Sequence, residues 1–389
     1  MPSRNEASGG RIRFIDGFRG VAILWVLSYH LFYRWNSIVA FGPLVSGSPL
    51  FTTGWIGVEL FFMVSGFVIL MTLDKCSGFR EFLQRRWLRL FPAMAVGSIL
   101  LFTLCLVMNV EPFVRTSVAD LLPGLTFVDP VVWQTVGSAV HSGTLGSMTS
   151  LGFTFWTIYV EVAFYIIFGF MYFWLGKRKA LYGLVVIYFS YSVFRYLVRF
   201  AVGHTSLLFL GPVLNIANPL LYFSWFAIGA LMYIYWTSRG KTSIIMAVVM
   251  GIAALPSILV SLQDTGTNET AAIAAAFVIV LVFVLAVVFE PFQVILSNRV
   301  AVFVGFISYP LYLVHESLMM SLMVRFHELM PRVPLLVLAV ISVSAVICLA
   351  YAIAKYVEPS MRSVLRRIIT LRRRAYADPA RTAEPRRTS

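Results

Sequence analysis

Charged side chains are scarce in this sequence: they make up 12% of its 389 residues, whereas 59% are hydrophobic and the mean hydropathy is +0.85. This balance excludes an ordinary soluble globular domain. Cysteine is also rare, and three residues without CxxC spacing favour neither a disulfide framework nor a zinc site. The sequence contains no Walker loop, dinucleotide fingerprint or HExxH motif. We therefore predict neither a metal nor a permanently bound cofactor.

Long apolar segments dominate instead, and each is long enough to cross a hydrocarbon core of about 30 Å. They predict an all-α, polytopic membrane protein with about ten transmembrane helices. The segments lie at 14–35, 54–73, 90–110, 151–175, 180–200, 218–236, 243–262, 270–289, 300–323 and 333–355. We divide the chain into an N-terminal segment at 1–13, a transmembrane domain at 14–360 and a basic tail at 361–389. The tail is expected to lie on anionic lipid and then to become disordered.

Basic residues set the predicted orientation. Most of the 31 Lys and Arg residues fall on the same side as the N-terminus, in the loop Lys75–Arg89 and the tail among other segments. The positive-inside rule then places both termini in the cytoplasm. The net charge of +14 follows from this topology, so we predict contact with membrane lipid and no nucleic-acid partner. The long outer segment 111–150 is expected either to fold partly into the membrane or to cover a site.

Two polar residues interrupt the first apolar segment. Arg19 and His30 lie within 14–35, where a charged side chain costs roughly 3 kcal/mol on insertion scales and usually marks a function. The eleven-residue spacing corresponds to about three helical turns and a rise of about 16 Å. The two side chains therefore share one face, the arginine near a membrane surface and the histidine deep in the bilayer. A buried base in line with an anion-binding group indicates chemistry carried out across a membrane.

Glu161 is expected near the middle of a later span. A carboxylate at that depth is either protonated or matched to a base. Its functional interpretation is that it holds the His30 imidazole in one tautomer or hydrogen-bonds an acceptor hydroxyl. The alternative is a structural pair with an arginine or histidine on a neighbouring helix.

The segment SYPLYLVHE brings four more polar side chains into one span. Tyr309, Tyr312, His315 and Glu316 are spaced to lie on adjoining helix faces. His315 is expected at the depth of His30, and two histidines that meet there would handle protons or bind an acceptor. A polar network that only packs helices fits the same spacing equally well.

Two further features give weaker evidence for a functional site. Glu59 is expected close to the start of its span, at the interface and solvated. Arg85, Arg86 and Arg89 fall within five residues beside the membrane surface, where guanidinium groups can grip phosphates bidentately. The positive-inside rule explains the same three arginines without any ligand.

Together these blocks resemble the acyltransferase 3 family of integral membrane acyltransferases. The resemblance rests on IDGFRG followed by His30, which fits the family's R-x10-H pattern, and on GVELFFMVSG, RRWLRLFP, FWTIYVE and ISYPLYLVH in the family's order. Each block is weak alone, whereas the set is specific. The family usually has Asp where Glu59 stands, a change that keeps the charge.

The resemblance implies transfer of an acyl group, most often acetyl, from cytoplasmic acyl-CoA to a hydroxyl of a sugar or glycoconjugate. Acceptors in the family include cell-surface polysaccharide, lipopolysaccharide, peptidoglycan, lipo-oligosaccharides and glycosylated small molecules, and its usual location is the bacterial cytoplasmic (inner) membrane. The predicted roles are catalysis by His30, Glu161 and His315, donor binding by Arg19, Arg85, Arg86 and Arg89, and substrate binding by Trp156, Tyr309 and Tyr312.

The predicted mechanism is general base catalysis. Neutral His30 removes a proton from the acceptor hydroxyl, and that oxygen attacks the thioester. A covalent acyl-His30 intermediate is the rival, and the sequence does not separate the two. Outside this class, a permease or flippase for a lipid-linked sugar also suits intramembrane charge, although we find no internal repeat. A membrane receptor or assembly protein is a third alternative, and the oligomeric state stays open.

Overall fold

A computed structural model of the protein describes residues 6–7, 11–114, 117–201 and 211–377. These residues are helical almost throughout, as the all-α prediction requires; a short antiparallel strand pair, Glu6–Ala7 with Arg11–Ile12, precedes the first helix. The helices of the bundle are α1 (Arg13–Tyr29), α2 (Gly57–Leu73), α3 (Phe79–Met108), α4 (Trp156–Leu175), α5 (Lys177–Ala201), α6 (Phe223–Ser238), α7 (Lys241–Ala253), α8 (Leu255–Thr265), α9 (Glu269–Val288), α10 (Arg299–Leu329), α11 (Leu335–Ala352) and α12 (Glu358–Ala377).

Shorter elements connect these helices. They are the α-helical turns Pro43–Ser46, Pro49–Thr52, Leu121–Thr126, Pro130–Ala139, Gly143–Gly146, Gly211–Ala217 and Glu290–Leu296, and the 3-10 turns Gly54–Ile56, Val118–Asp120 and Asn218–Tyr222. Five residues of π-helix, Ile353–Val357, join α11 to α12.

Nine helices of the described chain are long and apolar enough to cross a membrane. They run over Gly54–Leu73, Phe79–Met108, Trp156–Leu175, Lys177–Val198, Gly211–Ser238, Lys241–Thr265, Glu269–Val288, Arg299–Leu329 and Leu335–Leu371, and correspond to nine of the ten predicted segments. The other predicted segment, 14–35, is α1 continued directly by the π-helix His30–Arg34. The protein is therefore a multi-pass integral membrane protein.

The tail begins as a helix. Residues 361–377 belong to α12, while 378–389 lie outside the described residues. Apolar side chains recur among the arginines every three or four positions, at Val364, Ile368 and Leu371, which is the spacing of an amphipathic helix.

Two glycines bring α1 and α10 into close contact. A Cβ atom at Gly20 would lie 2.2 Å from the carbonyl oxygen of Ala301, and one at Gly305 would lie 1.9 Å from that of Asp16. Only glycine fits such backbone-to-backbone approach, and small residues commonly serve this purpose between membrane helices. The two helices run side by side in the same direction, so residues at matching depths on α1 and α10 face each other.

The bundle has two distinct ends. One end, which we call the basic end, holds the starts of α1 and α10, the connection 74–78 and α12. The far end holds the connections 35–53 and 330–334 and, between α3 and α4, residues 109–114 and 117–155.

Candidate active site

The His30 side chain contacts a backbone carbonyl group and a second histidine. It begins the π-helix that follows α1, and its Nδ1 lies 2.9 Å from the carbonyl oxygen of Val26 and 3.3 Å from His315 Nε2. The Nδ1 of His315 lies 2.8 Å from the carbonyl oxygen of Tyr312. Because a carbonyl only accepts, both imidazoles satisfy these contacts with the proton on Nδ1. This tautomer leaves His30 Nε2 with a free lone pair.

Glu316 faces that free nitrogen. Its Oε1 lies 3.3 Å from His30 Nε2 and accepts a hydrogen bond of 3.1 Å from Trp35 Nε1. Its Oε2 is buried and has no hydrogen-bond partner among the described residues. A buried carboxylate next to an imidazole favours uptake of a proton by the pair, since an unpaired buried charge is costly. His30 and Glu316 can therefore accept one proton together.

A large cavity opens from His30 to the far end. It has a volume of about 610 Å³, and its walls include charged and aromatic side chains from several helices. They include His30, Glu59, Trp156, Arg195, Tyr312 and Glu316. The connection between α3 and α4 contributes Asp129, Val131, Phe153 and Thr154 to the lining. A cavity of this size and polarity fits a hydrophilic ligand of several rings.

A second cavity of about 530 Å³ lies at the basic end, bounded by the starts of α1 and α12 and by α3. Its charged lining residues are Asp16, Arg19, Arg86, Arg89, Lys355, Glu358 and Arg362. The surplus of basic groups suits an anionic ligand.

A narrow cavity of about 70 Å³ lies between these two. It shares Arg19, Arg86 and Arg89 with the basic-end cavity, and Val58 and Tyr312 with the far-end cavity. The three cavities therefore follow one another through the bundle, and Tyr312 forms part of the wall beside His30.

An acyltransferase family model, described as an acyltransferase domain, matches residues 12–355 of the chain. The chain belongs to the acyltransferase 3 family. Membership confirms the resemblance drawn from the motifs and the prediction of an enzyme that transfers acyl groups. It also removes the support for a permease or a receptor.

Curated relatives carry names that describe putative acetyl transfer enzymes. An acetyltransferase of Acidianus two-tailed virus is 23% identical over 77% of this chain and 81% of its own length. An O-acetyltransferase of Staphylococcus aureus (strain COL) is 26% identical over 77% of this chain, and the match spans about half, 49%, of that relative. A peptidoglycan O-acetyltransferase of Bacillus subtilis (strain 168) is 29% identical over 39% of this chain and 22% of its own length. No solved structure matches the chain significantly.

Glu161 of this acyltransferase lies away from His30, which contradicts one of the roles left open for it, that of holding the His30 imidazole. Its Oε1 accepts hydrogen bonds of 2.6 Å from Ser65 Oγ and of 2.6 Å from Tyr165 OH, and it lines the narrow cavity beside the arginines. The depth of Glu161 in α4 could be predicted, but the helix it faces could not. Glu316, which the sequence suggested only as part of a polar network, is the carboxylate that meets His30.

Glu59 is buried, so the prediction of a solvated interfacial position is wrong. The side chain is 1% exposed, lines the far-end cavity and keeps Oε2 without a hydrogen-bond partner among the described residues. This burial results from close packing of the chain at the start of α2. A Cβ at Gly54 would lie 2.4 Å from the carbonyl oxygen of Trp25, and one at Gly57 would lie 2.7 Å from that of Ala22. These contacts draw the start of α2 into the bundle.

The acyltransferase brings three of the four predicted donor-binding arginines together. Arg19 pairs with Asp16 at 3.3 Å, and Arg86 donates to the carbonyl oxygen of Val68 at 3.0 Å and to Thr72. The guanidinium of Arg89 forms no hydrogen bond or ion pair within the described part of the chain, so it is free for a ligand.

Arg85 lies outside these cavities. Its side chain is 49% exposed and forms an ion pair with Glu81, one turn earlier on the same helix. Adjacent arginines on a helix point about 100° apart, and of these two only Arg86 lines the cavity. The spacing Arg86–Arg89, which puts two residues on one face, was the signal available in the sequence.

The predicted substrate-binding residues divide between the cavities. Trp156 lines the far-end cavity, and Tyr309 lines the narrow one, where its hydroxyl donates to the carbonyl oxygen of Leu90 at 3.0 Å. Tyr312 lines both, with its hydroxyl accepting from Thr157 at 3.1 Å. Within the described residues, no cluster of His, Cys, Asp or Glu is suited to hold a metal ion.

Proposed function

We propose that the protein transfers an acyl group, acetyl in the simplest case, from cytoplasmic acyl-CoA to a hydroxyl of a glycan. The observation that carries the proposal is the position of His30. His30 lines the far-end cavity with its Nε2 3.3 Å from Glu316, while the arginine-lined cavities approach the same region from the basic end. One base thus lies between a site for an anionic donor and a site for a polar acceptor.

The basic end is taken as cytoplasmic, because basic connections are retained on that side. The location that follows is a bacterial cytoplasmic membrane, with the far end turned outward. This orientation agrees with the chemistry of the donor, since acyl-CoA is a cytoplasmic anion and the arginines lie at the basic end. It also lets the acceptor arrive from the opposite side of the membrane.

The donor is proposed to bind with its phosphates near Arg19, Arg86 and Arg89. These three line both the basic-end cavity and the narrow cavity, so they surround the entrance to the latter. The slender pantetheine arm suits a channel of about 70 Å³ better than a bulky group would. The thioester would then arrive beside Tyr312 and His30.

The acceptor is proposed to be a sugar hydroxyl in a cell-surface polysaccharide, a glycolipid or a glycosylated small molecule. The Trp156 ring can stack against a sugar ring, and the carboxyl groups of Glu59 and Glu316 line the same cavity, where they can hydrogen-bond hydroxyl groups. The name of the Bacillus subtilis relative, a peptidoglycan O-acetyltransferase, supports a glycan acceptor.

The reaction proceeds in two steps in this proposal. His30 Nε2 removes the hydroxyl proton while the acceptor oxygen attacks the thioester carbonyl, and Glu316 stabilises the imidazolium. The intermediate then collapses, the C–S bond breaks and the imidazolium returns the proton to the departing CoA thiolate. The products are an ester on the acceptor and free CoA.

The test is acetyl transfer by membranes that contain the wild-type protein or the variant His30→Ala, with labelled acetyl-CoA as donor. Label should enter a glycan fraction, and the variant should transfer 10²- to 10⁴-fold more slowly, as expected for loss of a positioned base. His327→Ala, an exposed histidine on α10, is the matched control and should keep the wild-type rate.

Equal labelling by wild type and His30→Ala at equal protein levels would contradict the role of the base. Label found on the protein itself, with donor present and acceptor absent, would favour the covalent route through His30. Binding of acetyl-CoA without transfer to any fraction would contradict the proposed reaction.

A further inference from the structure

Helix α12 carries a basic groove along one face. The groove has a volume of about 670 Å³ and is lined by Arg362, Ser363, Arg366, Arg367 and Thr370 among others. Positions three or four residues apart lie on one side of a helix, so these side chains form a continuous stripe. The helix begins after the last residue matched by the family model, at 355, so family membership assigns nothing to it.

The groove is continuous with the basic-end cavity. Pro359 and Arg362 line both. Arg362 also forms an ion pair with Glu358 and donates to the carbonyl oxygen of Arg89 at 3.4 Å, which ties α12 to the arginine-bearing part of α3. A ligand that fills the basic-end cavity can therefore extend along α12.

Two arginines of the groove form no ion pair with any described residue. Glu358 neutralises Arg362, whereas Arg366 and Arg367 are exposed and form no ion pair within the described chain. Arg366 and Arg367 point about 100° apart and line the groove from its two sides. Their guanidinium groups can converge on a phosphate monoester held between them, which carries nearly two negative charges at neutral pH.

The opposite face of α12 indicates where this phosphate comes from. Val364 and Ile368 are 57% and 47% exposed and lie about 200° around the helix from Arg362 and Arg366 respectively. An amphipathic helix places such an apolar face in the lipid interface. Arg362 and Arg366 then point toward water, whereas Arg367, three residues from Val364 and four from Leu371, lies at the edge of the apolar face. A ligand in the cytoplasm therefore reaches the groove from the side of Arg366.

We propose that Arg366 and Arg367 bind the 3′-phosphate on the adenosine of acyl-CoA, and that α12 is thereby part of the donor site. This inference rests on acyl-CoA being the donor. The pantetheine arm enters the narrow cavity, the diphosphate lies near Arg89 and Arg362, and the nucleotide extends along the groove. The protein then distinguishes acyl-CoA from analogues that lack the 3′-phosphate.

The experiment compares acetyl-CoA with 3′-dephospho-acetyl-CoA as donors for the full-length protein in vesicles of zwitterionic lipid. The wild type should have a KM for the dephospho donor roughly 10- to 100-fold higher, the range expected for charge-assisted hydrogen bonds. The double variant Arg366→Gln/Arg367→Gln should raise the KM for acetyl-CoA by a similar factor and leave the KM for the dephospho donor unchanged.

The control is Arg178→Gln/Lys179→Gln, which removes two exposed positive charges from the start of α5 at the same end of the bundle. It should change neither KM. A change in both KM values for the α12 variant, or in neither, would overturn the inference.

The same assay separates a lipid from the donor as the source of the phosphate. If the two arginines bind lipid headgroups, their replacement should lower activity only in vesicles that contain phosphatidylglycerol, and equally for both donors. That result would overturn the inference and leave the proposed function intact. A wild-type protein that transfers acetyl from neither donor would overturn the proposed function, and the inference with it.

Discussion

The two polar clusters of the bundle differ in the kind of charge they hold. Around the narrow cavity, Arg19, Arg86 and Arg89 provide permanent positive charge. Beside the far-end cavity, His30 and Glu316 form a pair whose charge changes when the pair takes up or releases one proton. Permanent charge suits recognition of a ligand that is always anionic, whereas a proton-exchanging pair suits a reaction in which a hydroxyl must lose its proton.

One helix links the two clusters. Arg19 and His30 both belong to the α1 segment, and α10 faces it along the contacts at Gly20 and Gly305. The distance between donor recognition and the base is therefore fixed by the length of one helix. We therefore expect substitutions beside His30 to lower kcat and substitutions among the arginines to raise the KM for the donor.

After His30→Ala, the largest effect is expected for Glu316→Gln. The amide would donate a hydrogen bond to His30 Nε2, occupy its lone pair and give no charge to stabilise the imidazolium. We expect kcat to fall roughly 10²-fold, the low end of the contribution of a positioned base, with little change in the KM for acetyl-CoA. Steady-state kinetics in vesicles measure both values.

Glu328→Gln is the matched control for this prediction. Glu328 lies on the same helix, but its side chain is 53% exposed and pairs with Arg325 at the far end. A wild-type kcat for Glu316→Gln, or an equal loss in both variants, would show that the His30–Glu316 pair does not take up the proton.

A smaller effect is expected at the other cluster, where Arg89→Ala and Arg85→Ala form a matched pair. Arg89 lines two cavities, whereas Arg85 is half exposed and paired with Glu81. Loss of hydrogen bonds to a charged ligand costs about 1.5–3 kcal/mol, so Arg89→Ala should raise the KM for acetyl-CoA roughly 10- to 100-fold. Arg85→Ala should stay near wild type, and a reversed order would contradict this assignment of the donor site.

These clusters also show what could be predicted from the sequence. Length and hydropathy indicated the helices, because a membrane-crossing helix needs a long apolar run and little else. The spacing of Arg19 and His30 indicated that they share a face, since the regular rotation of a helix fixes the direction of each side chain relative to the others. Both predictions depend only on positions within one helix.

Contacts between helices were harder to predict. The spacing within α4 could not show that Glu161 turns toward Ser65 on α2 rather than toward His30. The partner of His30 is Glu316, brought near by glycine contacts between helices that are far apart in the chain. Burial of Glu59 likewise depends on how Gly54 and Gly57 pack against α1. Hydropathy indicates whether a segment is apolar enough to enter lipid. It does not indicate which other helix will pack against that segment.

The smallest effect is expected for Glu59→Gln, and it tests whether the far-end cavity recognises hydroxyl groups by hydrogen bonding or by charge. The amide oxygen can still accept from an acceptor hydroxyl, so we expect the KM for the acceptor to change only a few-fold, with kcat unchanged. Glu59→Leu removes the oxygen but keeps most of the volume. It should raise the acceptor KM about 10-fold, the loss of roughly one hydrogen bond. A large drop in kcat with either variant, at equal protein levels, would instead show that Glu59 shares the proton of His30, and the chemical cluster would then extend across the cavity.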